Sequence, residues 1–251
     1  MPPDYDEFAP YFDAWQDAFG GAYDELILPR VLALLARHAP RARRIADLGI
    51  GTGTLAAALA RRGFTVVGVD VSRPMLAVAG RKLAAAALAD QVRLVCADIR
   101  ALPLAGSVDA AVCVYTVVNQ LTEASDLDRL FAGVDRALAP RGALVFEVNL
   151  PAAYERFWRG EDGVDAAGAR IRRRHIRRPG STVIEASVTI ETAEGAVRHD
   201  RIVQRPYEAA ELEAALARHG LAVAAVEQFD PFGAGAGEPT KALWVAQRQR
   251  T

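Results

Sequence analysis

The run Asp47-Leu48-Gly49-Ile50-Gly51-Thr52-Gly53-Thr54 constrains this 251-residue chain more than any other stretch. It follows the short apolar segment Ile45–Leu48 and precedes the Ala-rich segment Thr54–Arg62. The pattern predicts a strand, a glycine turn and a helix. Glycines there let a ligand approach the backbone, and the helix start offers free N–H groups to an anion. A P-loop needs Gly-Lys-Ser/Thr, and no lysine lies near. In the dinucleotide fingerprint Gly-x-Gly-x-x-Gly the third glycine would fall where Thr54 stands, and Gly53 comes one residue early.

The alternation continues beyond the turn. Phe64–Val69 reads as a strand ending at Asp70, and Pro74–Leu88 as a helix with Ser72 as its N-cap. Val92–Cys96 and Val108–Val114 read as strands. Ser125–Leu138 reads as a helix stopped by Pro140 and Gly142, with Ala143–Val148 the next strand. This β-α-β-α order predicts an α/β fold with a parallel sheet and helices on both faces. Pro151–Trp158 reads as a short helix. Residues 168–206 then read as three antiparallel strands with turns at Pro179-Gly180 and Glu194-Gly195. Glu208–His219 is helical again, and Leu221–Phe229 and Lys241–Gln247 are strands.

The N-terminal stretch is aromatic: Tyr5, Phe8, Tyr11, Phe12, Trp15, Phe19 and Tyr23 recur at helical spacing. It is either a helix pair packed on the core or a lid whose aromatic face closes over a ligand. The expected organisation is a helical cap over 1–40, a core over 41–150 and 208–251, and an antiparallel insertion over 151–207.

A composition with 51% hydrophobic residues supports a sizeable core and excludes a disordered chain. Thirty Lys+Arg against 31 Asp+Glu give no global attraction to nucleic acid or to an anionic membrane. Two cysteines, Cys96 and Cys113, make no disulfide framework and sit in apolar runs, so both are expected to be buried thiols. No signal-peptide pattern and no membrane-length apolar run is visible, which predicts a cytoplasmic protein. The histidines show no metal-binding spacing, and no metal is expected.

Two acidic positions narrow the ligand. Asp70 lies 21 residues after Gly49, where a carboxylate accepts from both ribose hydroxyls. Asp47, just before the glycines, would repel a pyrophosphate and attract an ammonium. Asp98-Ile99, after the third strand, adds a carboxylate and an apolar contact for a purine. A ribose, an adenine and a cationic amino group without pyrophosphate describe S-adenosyl-L-methionine. With Asp47-x-Gly49-x-Gly51-x-Gly53, Asp70, Asp98-Ile99 and the segment Val114–Leu121, the chain resembles class I S-adenosylmethionine-dependent methyltransferases. The likeness runs from Ile45 to Val148 and through Glu208–Gln247. The segment Tyr5-Asp6-x-Phe8-Ala9-x-x-Phe12-Asp13 and the insertion after the fifth strand are similar to the glycine N-methyltransferase and aminodeoxysugar N,N-dimethyltransferase type.

The resemblance implies a Rossmann-like, seven-stranded, mostly parallel sheet with its last strand antiparallel. It implies S-adenosyl-L-methionine as cofactor and S-adenosyl-L-homocysteine as product. It places Tyr11, Asp47, Gly49, Gly51, Asp70, Val71, Met75, Asp98, Ile99, Val114 and Tyr115 at the cofactor. The acceptor would be a small molecule methylated at nitrogen or oxygen by in-line displacement. Asn119, past the fourth strand, either orients that acceptor or caps a helix. Glu147 and Asn149 share one face of the fifth strand, and Glu147 either anchors a cationic amine or makes a structural hydrogen bond. His175 is a candidate base. Tyr23, Tyr154 and Trp158 are candidates for the acceptor side, with core packing the alternative for the last two. Arg170, Arg172, Arg173, Arg174, Arg177 and Arg178 surround His175, as a charged edge strand or as an anion site.

The rivals are an RNA or protein methyltransferase working through that arginine strand, a non-catalytic S-adenosylmethionine-binding protein, and an NAD-dependent oxidoreductase. The last lacks Tyr-x-x-x-Lys at both lysines, Lys82 and Lys241. An exposed strand edge in the insertion would suit a homodimer.

Overall fold

The computed structural model describes residues 5–20, 23–106, 108–231 and 238–249, with the side chains of 19–20 and 23–24 outside that description. Helices α1 (Phe12–Gly20) and α2 (Tyr23–His38) open the chain, after a turn of 3-10 helix at Ala9–Tyr11. The alternation that follows is β1 (Arg44–Leu48), α3 (Thr54–Ala60), β2 (Thr65–Asp70), α4 (Arg73–Ala85), β3 (Val92–Cys96), β4 (Val108–Cys113), α5 (Ala124–Ala137) and β5 (Leu138–Asn149). After α6 (Pro151–Phe157) come β6 (Glu161–Ala166), β7 (Ala169–Arg177), β8 (Ile184–Thr192) and β9 (Val197–Gln204). The chain closes with α7 (Ala209–Arg218), β10 (Leu221–Phe229) and β11 (Lys241–Arg248).

The strands form two sheets. The larger has seven strands in the order β10-β11-β5-β4-β1-β2-β3, and β11 runs antiparallel to both neighbours. The smaller is an antiparallel sheet in the order β6-β7-β8-β9. One face of the large sheet packs on α2 and α3 through Ile27, Val31, Leu55, Leu59 and Val112. The other packs on α5 and α7 through Leu130, Phe131, Phe146 and Leu216. A third cluster joins Phe8, Trp15, Tyr154 and Trp158 to the inner face of the small sheet. Strand β8 alternates accordingly, with Ile184, Ala186, Val188 and Ile190 buried.

Several local expectations are corrected. Pro140 and Gly142 lie inside β5, where Val108 pairs with Leu138 and Ala110 with Ala143, so residues 139–142 form a bulge. The small sheet has four strands. The unexpected one, β6, reads as polar because its acids face arginines: Glu161 pairs with Arg174, Asp162 with Arg173 and Asp165 with Arg170. Strand β7 is therefore an inner strand, flanked by β6 and β8, and not a charged edge. Cys113 is buried, but Cys96 is exposed, because it ends the edge strand β3 on its open side. No helix among the described residues is long and apolar enough to cross a membrane.

Candidate active site

Strand β1 pairs with β2 on one side and β4 on the other, so the chain order reverses there. Ligands of open α/β sheets sit at the carboxyl ends of strands beside such a switch point. The turn after β1 and the segment after β4 meet there. Gly49 has φ +76°, and a Cβ on it would lie 2.6 Å from Val117 Cγ2, so no larger residue fits. Gly51 has φ +55°, and a Cβ on it would meet nothing within 4 Å; its free face looks into a cavity of about 710 Å³.

Asp47 and Asp70 are among the carboxylates that line that cavity. Asp47 is 2% exposed, and its Oδ2 has no hydrogen-bond partner. Burial, and then the charge of Asp70, push its pKa up to about 7. Asp70 Oδ1 accepts the Ser72 N–H at 2.9 Å and Oδ2 the Gly51 N–H at 2.8 Å. Each oxygen keeps acceptor capacity, which two adjacent hydroxyls would use. Burial raises the Asp70 pKa, opposed by backbone N–H groups of Ser72, Gly51 and Val71. The half-exposed Val71, buried Met75 and buried Ile99 supply an apolar wall for a purine. An orphaned buried carboxylate fits an ammonium, a diol acceptor fits a ribose, and the open face of Gly51 leaves room for the tail between them.

Above the cavity lie Tyr5, Phe12, Asp13 and Gln16. Asp13 accepts from Thr52 Oγ1 at 2.6 Å and pairs with Lys82 at 2.7 Å. A second cavity, of about 450 Å³, shares Tyr5, Phe12, Gln16 and Tyr115 with the first. Its other walls are aromatic (Phe8, Trp15, Phe157, Trp158) and polar (Asn149, Asp162, Arg173, Gln204, Thr240, Lys241). Tyr115 and Thr116 both have φ +60°, a conformation that costs non-glycine residues about 1–3 kcal/mol each and clusters at functional sites.

The comparisons agree with this geometry. Residues 45–142 match the family described as Methyltransferase domain. A crystal structure of an S-adenosylmethionine-dependent methyltransferase from Clostridium acetobutylicum superposes with a TM-score of 0.80 at 18% identity, covering 98% of this chain and 99% of that one. Residues 45–142 thus carry a methyltransferase domain, on a fold shared with S-adenosylmethionine-dependent methyltransferases. An S-adenosylmethionine-bound amino pentose methyltransferase of calicheamicin biosynthesis, from Micromonospora echinaspora, aligns with a TM-score of 0.71 and 28% identity over 95% of this chain and 96% of that one. A putative methyltransferase of Bacillus subtilis, YqeM, is 32% identical over 136 residues, which are 52% of this chain and 54% of that protein. The chain spans about half the length of the curated relatives it matches.

Within the methyltransferase domain, Asp47, Gly49, Gly51, Asp70, Val71, Met75, Asp98, Ile99 and Tyr115 all line the first cavity. Two expected residues do not. Val114 is buried in the core on the α2 side, and Tyr11 packs with the third cluster while Tyr5 and Phe12 face the cavity. Asp98 lines the cavity, but its oxygens already accept from Arg100: Nε at 3.0 Å to both and Nη2 at 2.6 Å. Burial opposes its ionisation, and these bonds prevail and lower its pKa.

The catalytic expectations change more. Asn119 is fully buried and lines neither cavity. Its amide donates to the Arg205 carbonyl at 3.0 Å and accepts the Asn149 N–H at 2.8 Å, so it is a tie between backbones, neither a helix cap nor an acceptor contact. Glu147 is 0% exposed; it accepts the Tyr115 N–H at 3.2 Å and pairs with Lys241, so its cation is the chain's own. The His175 side chain is 1% exposed, bonded to Asp162 at 3.0 Å and packed on Trp158, outside both cavities. Tyr154 is buried and donates to Gln204 at 3.0 Å, so it takes the core-packing alternative. Asn149 and Trp158 line the second cavity. The Tyr23 side chain lies outside the described residues.

Sequence reasoning passes over Trp15, Asp162, Gln204, Thr240 and Lys241, which line the second cavity. Only the helical spacing of Trp15 with Phe8 and Phe12 signalled one of them.

Proposed function

We propose that the chain transfers a methyl group from S-adenosyl-L-methionine in the first cavity to a nitrogen of a small acceptor in the second. The observation that carries this reading is the wall that the two cavities share at Tyr5, Phe12, Gln16 and Tyr115. Methyl transfer from a sulfonium is an in-line displacement, and when bound the cofactor supplies the activated methyl group. The chain's task is alignment, which accounts for up to roughly 7–11 kcal/mol in well-oriented reactions. Asp47 holds the amino group of the methionine tail, Asp70 the ribose, and Ile99 with Met75 the adenine. A base is needed only for an acceptor that arrives protonated.

The acceptor cavity is charge-balanced. Arg173 is paired with Asp162 at 2.8 Å, and Lys241 with Glu147. The aromatic faces of Phe8, Trp15, Phe157 and Trp158 remain for recognition, which suits a ring-bearing amine. The likeness to a sugar N-methyltransferase, KedS8, at 26% identity supports nitrogen over oxygen. The RNA reading is weakened by the carboxylate partners of Arg170, Arg172, Arg173, Arg177 and Arg178. The small sheet acts as the acceptor lid in this account, leaving a homodimer contact as its second use.

The test is incorporation of label from methyl-labelled S-adenosylmethionine across a panel of amino sugars, other amines, alcohols, carboxylates and RNA. Transfer to an amine supports the reading. Transfer to hydroxyls or RNA alone, or to nothing, overturns it.

A further inference from the structure

The strained pair Tyr115-Thr116 is held from two sides. From the large sheet, Glu147 Oε2 accepts the Tyr115 N–H at 3.2 Å. From the small sheet, Gln204 Nε2 donates to Thr116 Oγ1 at 3.0 Å. Gln204 is 2% exposed, and its Oε1 accepts from the Tyr154 hydroxyl at 3.0 Å and from Asn149 Nδ2 at 3.3 Å. A carbonyl oxygen has two lone pairs, and both are taken. The amide is thereby fixed in one orientation, with its N–H₂ aimed at Thr116.

A side chain that merely filled this space would be apolar, since a buried amide gains little unless every partner is met. Here both polar atoms of the amide are bonded, and one partner is the hydroxyl of a left-handed, β-branched residue at the junction of the cavities. Gln204 and Thr116 line the second cavity, and Tyr115 lines both. We infer that Gln204 is a positioning residue. Through Thr116 it lets the small sheet hold Tyr115 in the wall between cofactor and acceptor. The inference rests on the reading of the first cavity as the cofactor site.

Its test uses Gln204→Met, Thr116→Val, their double variant and Thr116→Ser. S-adenosylhomocysteine affinity is measured by calorimetry, and amide hydrogen exchange of residues 114–118 is measured without ligand. Loss of one buried hydrogen bond corresponds to roughly a tenfold effect. Gln204→Met and Thr116→Val should each weaken S-adenosylhomocysteine and speed exchange at 114–118 by about that factor. The double variant should do no more than either single one, because both break the same bond. Thr116→Ser keeps the hydroxyl and should behave like the parent chain. Unchanged affinity and exchange in Thr116→Val, or losses that multiply in the double variant, would overturn the assignment. Should Gln204→Met fail to fold, Thr116→Val decides, since it leaves the bonds of Gln204 to Asn149 and Tyr154. A parent chain that binds no S-adenosylhomocysteine contradicts the cofactor reading, and the exchange rates then decide the role of Gln204 alone.

Discussion

Lys82 on α4 and Asp13 on the N-terminal helix α1 form a 2.7 Å ion pair at the rim of the first cavity. Lys82 Nζ also donates to Thr54 Oγ1 at 2.8 Å and to Thr52 Oγ1 at 3.2 Å. One lysine thus ties α1 to the glycine turn. Both partners are partly exposed, 29% and 43%, so the pair itself contributes modestly. Lys82→Met should speed dissociation of S-adenosylhomocysteine by about threefold in stopped-flow displacement. The difference should narrow as salt is raised. Equal off-rates at low salt would show that the cap does not depend on this contact.

Asp47 gives the site a pH signature. Burial and Asp70 push its pKa up to about 7, against 3.8 for an ordinary aspartate. A carboxyl that holds its proton more tightly when folded contributes stability below pH 4. That contribution is lost as pH rises through about 7. Binding the cofactor's ammonium requires the ionised form, so affinity runs the other way. S-adenosylmethionine should bind about tenfold more weakly at pH 6 than at pH 8. Asp47→Asn should bind weakly at both, with the slope gone. A slope that survives the substitution assigns the titration to another group.

Asp162 behaves oppositely. Burial opposes its ionisation, yet hydrogen bonds from His175 and Arg173 lower its pKa to about 2. Stability from a depressed carboxylate is present above the unfolded value of 3.8 and lost as pH falls through about 2. Asp162→Asn should cost on the order of 2 kcal/mol in denaturant unfolding at neutral pH, and less near pH 3. A constant deficit across that range would mean packing, not charge, holds β6 to β7.

Trp158 offers a test of the proposed division between the two cavities. It lines only the second, with Arg173 5.9 Å from its ring. Trp158→Leu should raise the acceptor KM by about tenfold while S-adenosylhomocysteine affinity stays within about twofold. A matching loss of cofactor affinity would contradict the division of labour.

The cofactor half was legible in the sequence because it is local. Asp47, Gly49, Gly51 and Asp70 sit on one strand-turn-helix unit and the next strand end, so the α/β alternation places them. Asp98 shows the limit of that logic: it lines the first cavity, but its neighbour Arg100 occupies the carboxylate. The second cavity was not legible, because distant segments build it. Lys241 meets Glu147 across paired strands 94 residues apart, and Gln204 meets Thr116 across 88. Strand β6 escaped notice because its glycine and acids lower its apparent β preference. Cross-strand arginines restore it only once β7 is beside it.

Calorimetric titration of the purified chain with S-adenosylhomocysteine, with NAD run in parallel, tests whether the first cavity holds the cofactor. Saturable binding of S-adenosylhomocysteine at one site, lost in Asp70→Ala, with none of NAD, is the expected result. Binding of NAD alone, or S-adenosylhomocysteine binding that ignores Asp70→Ala, would contradict the assignment of the first cavity.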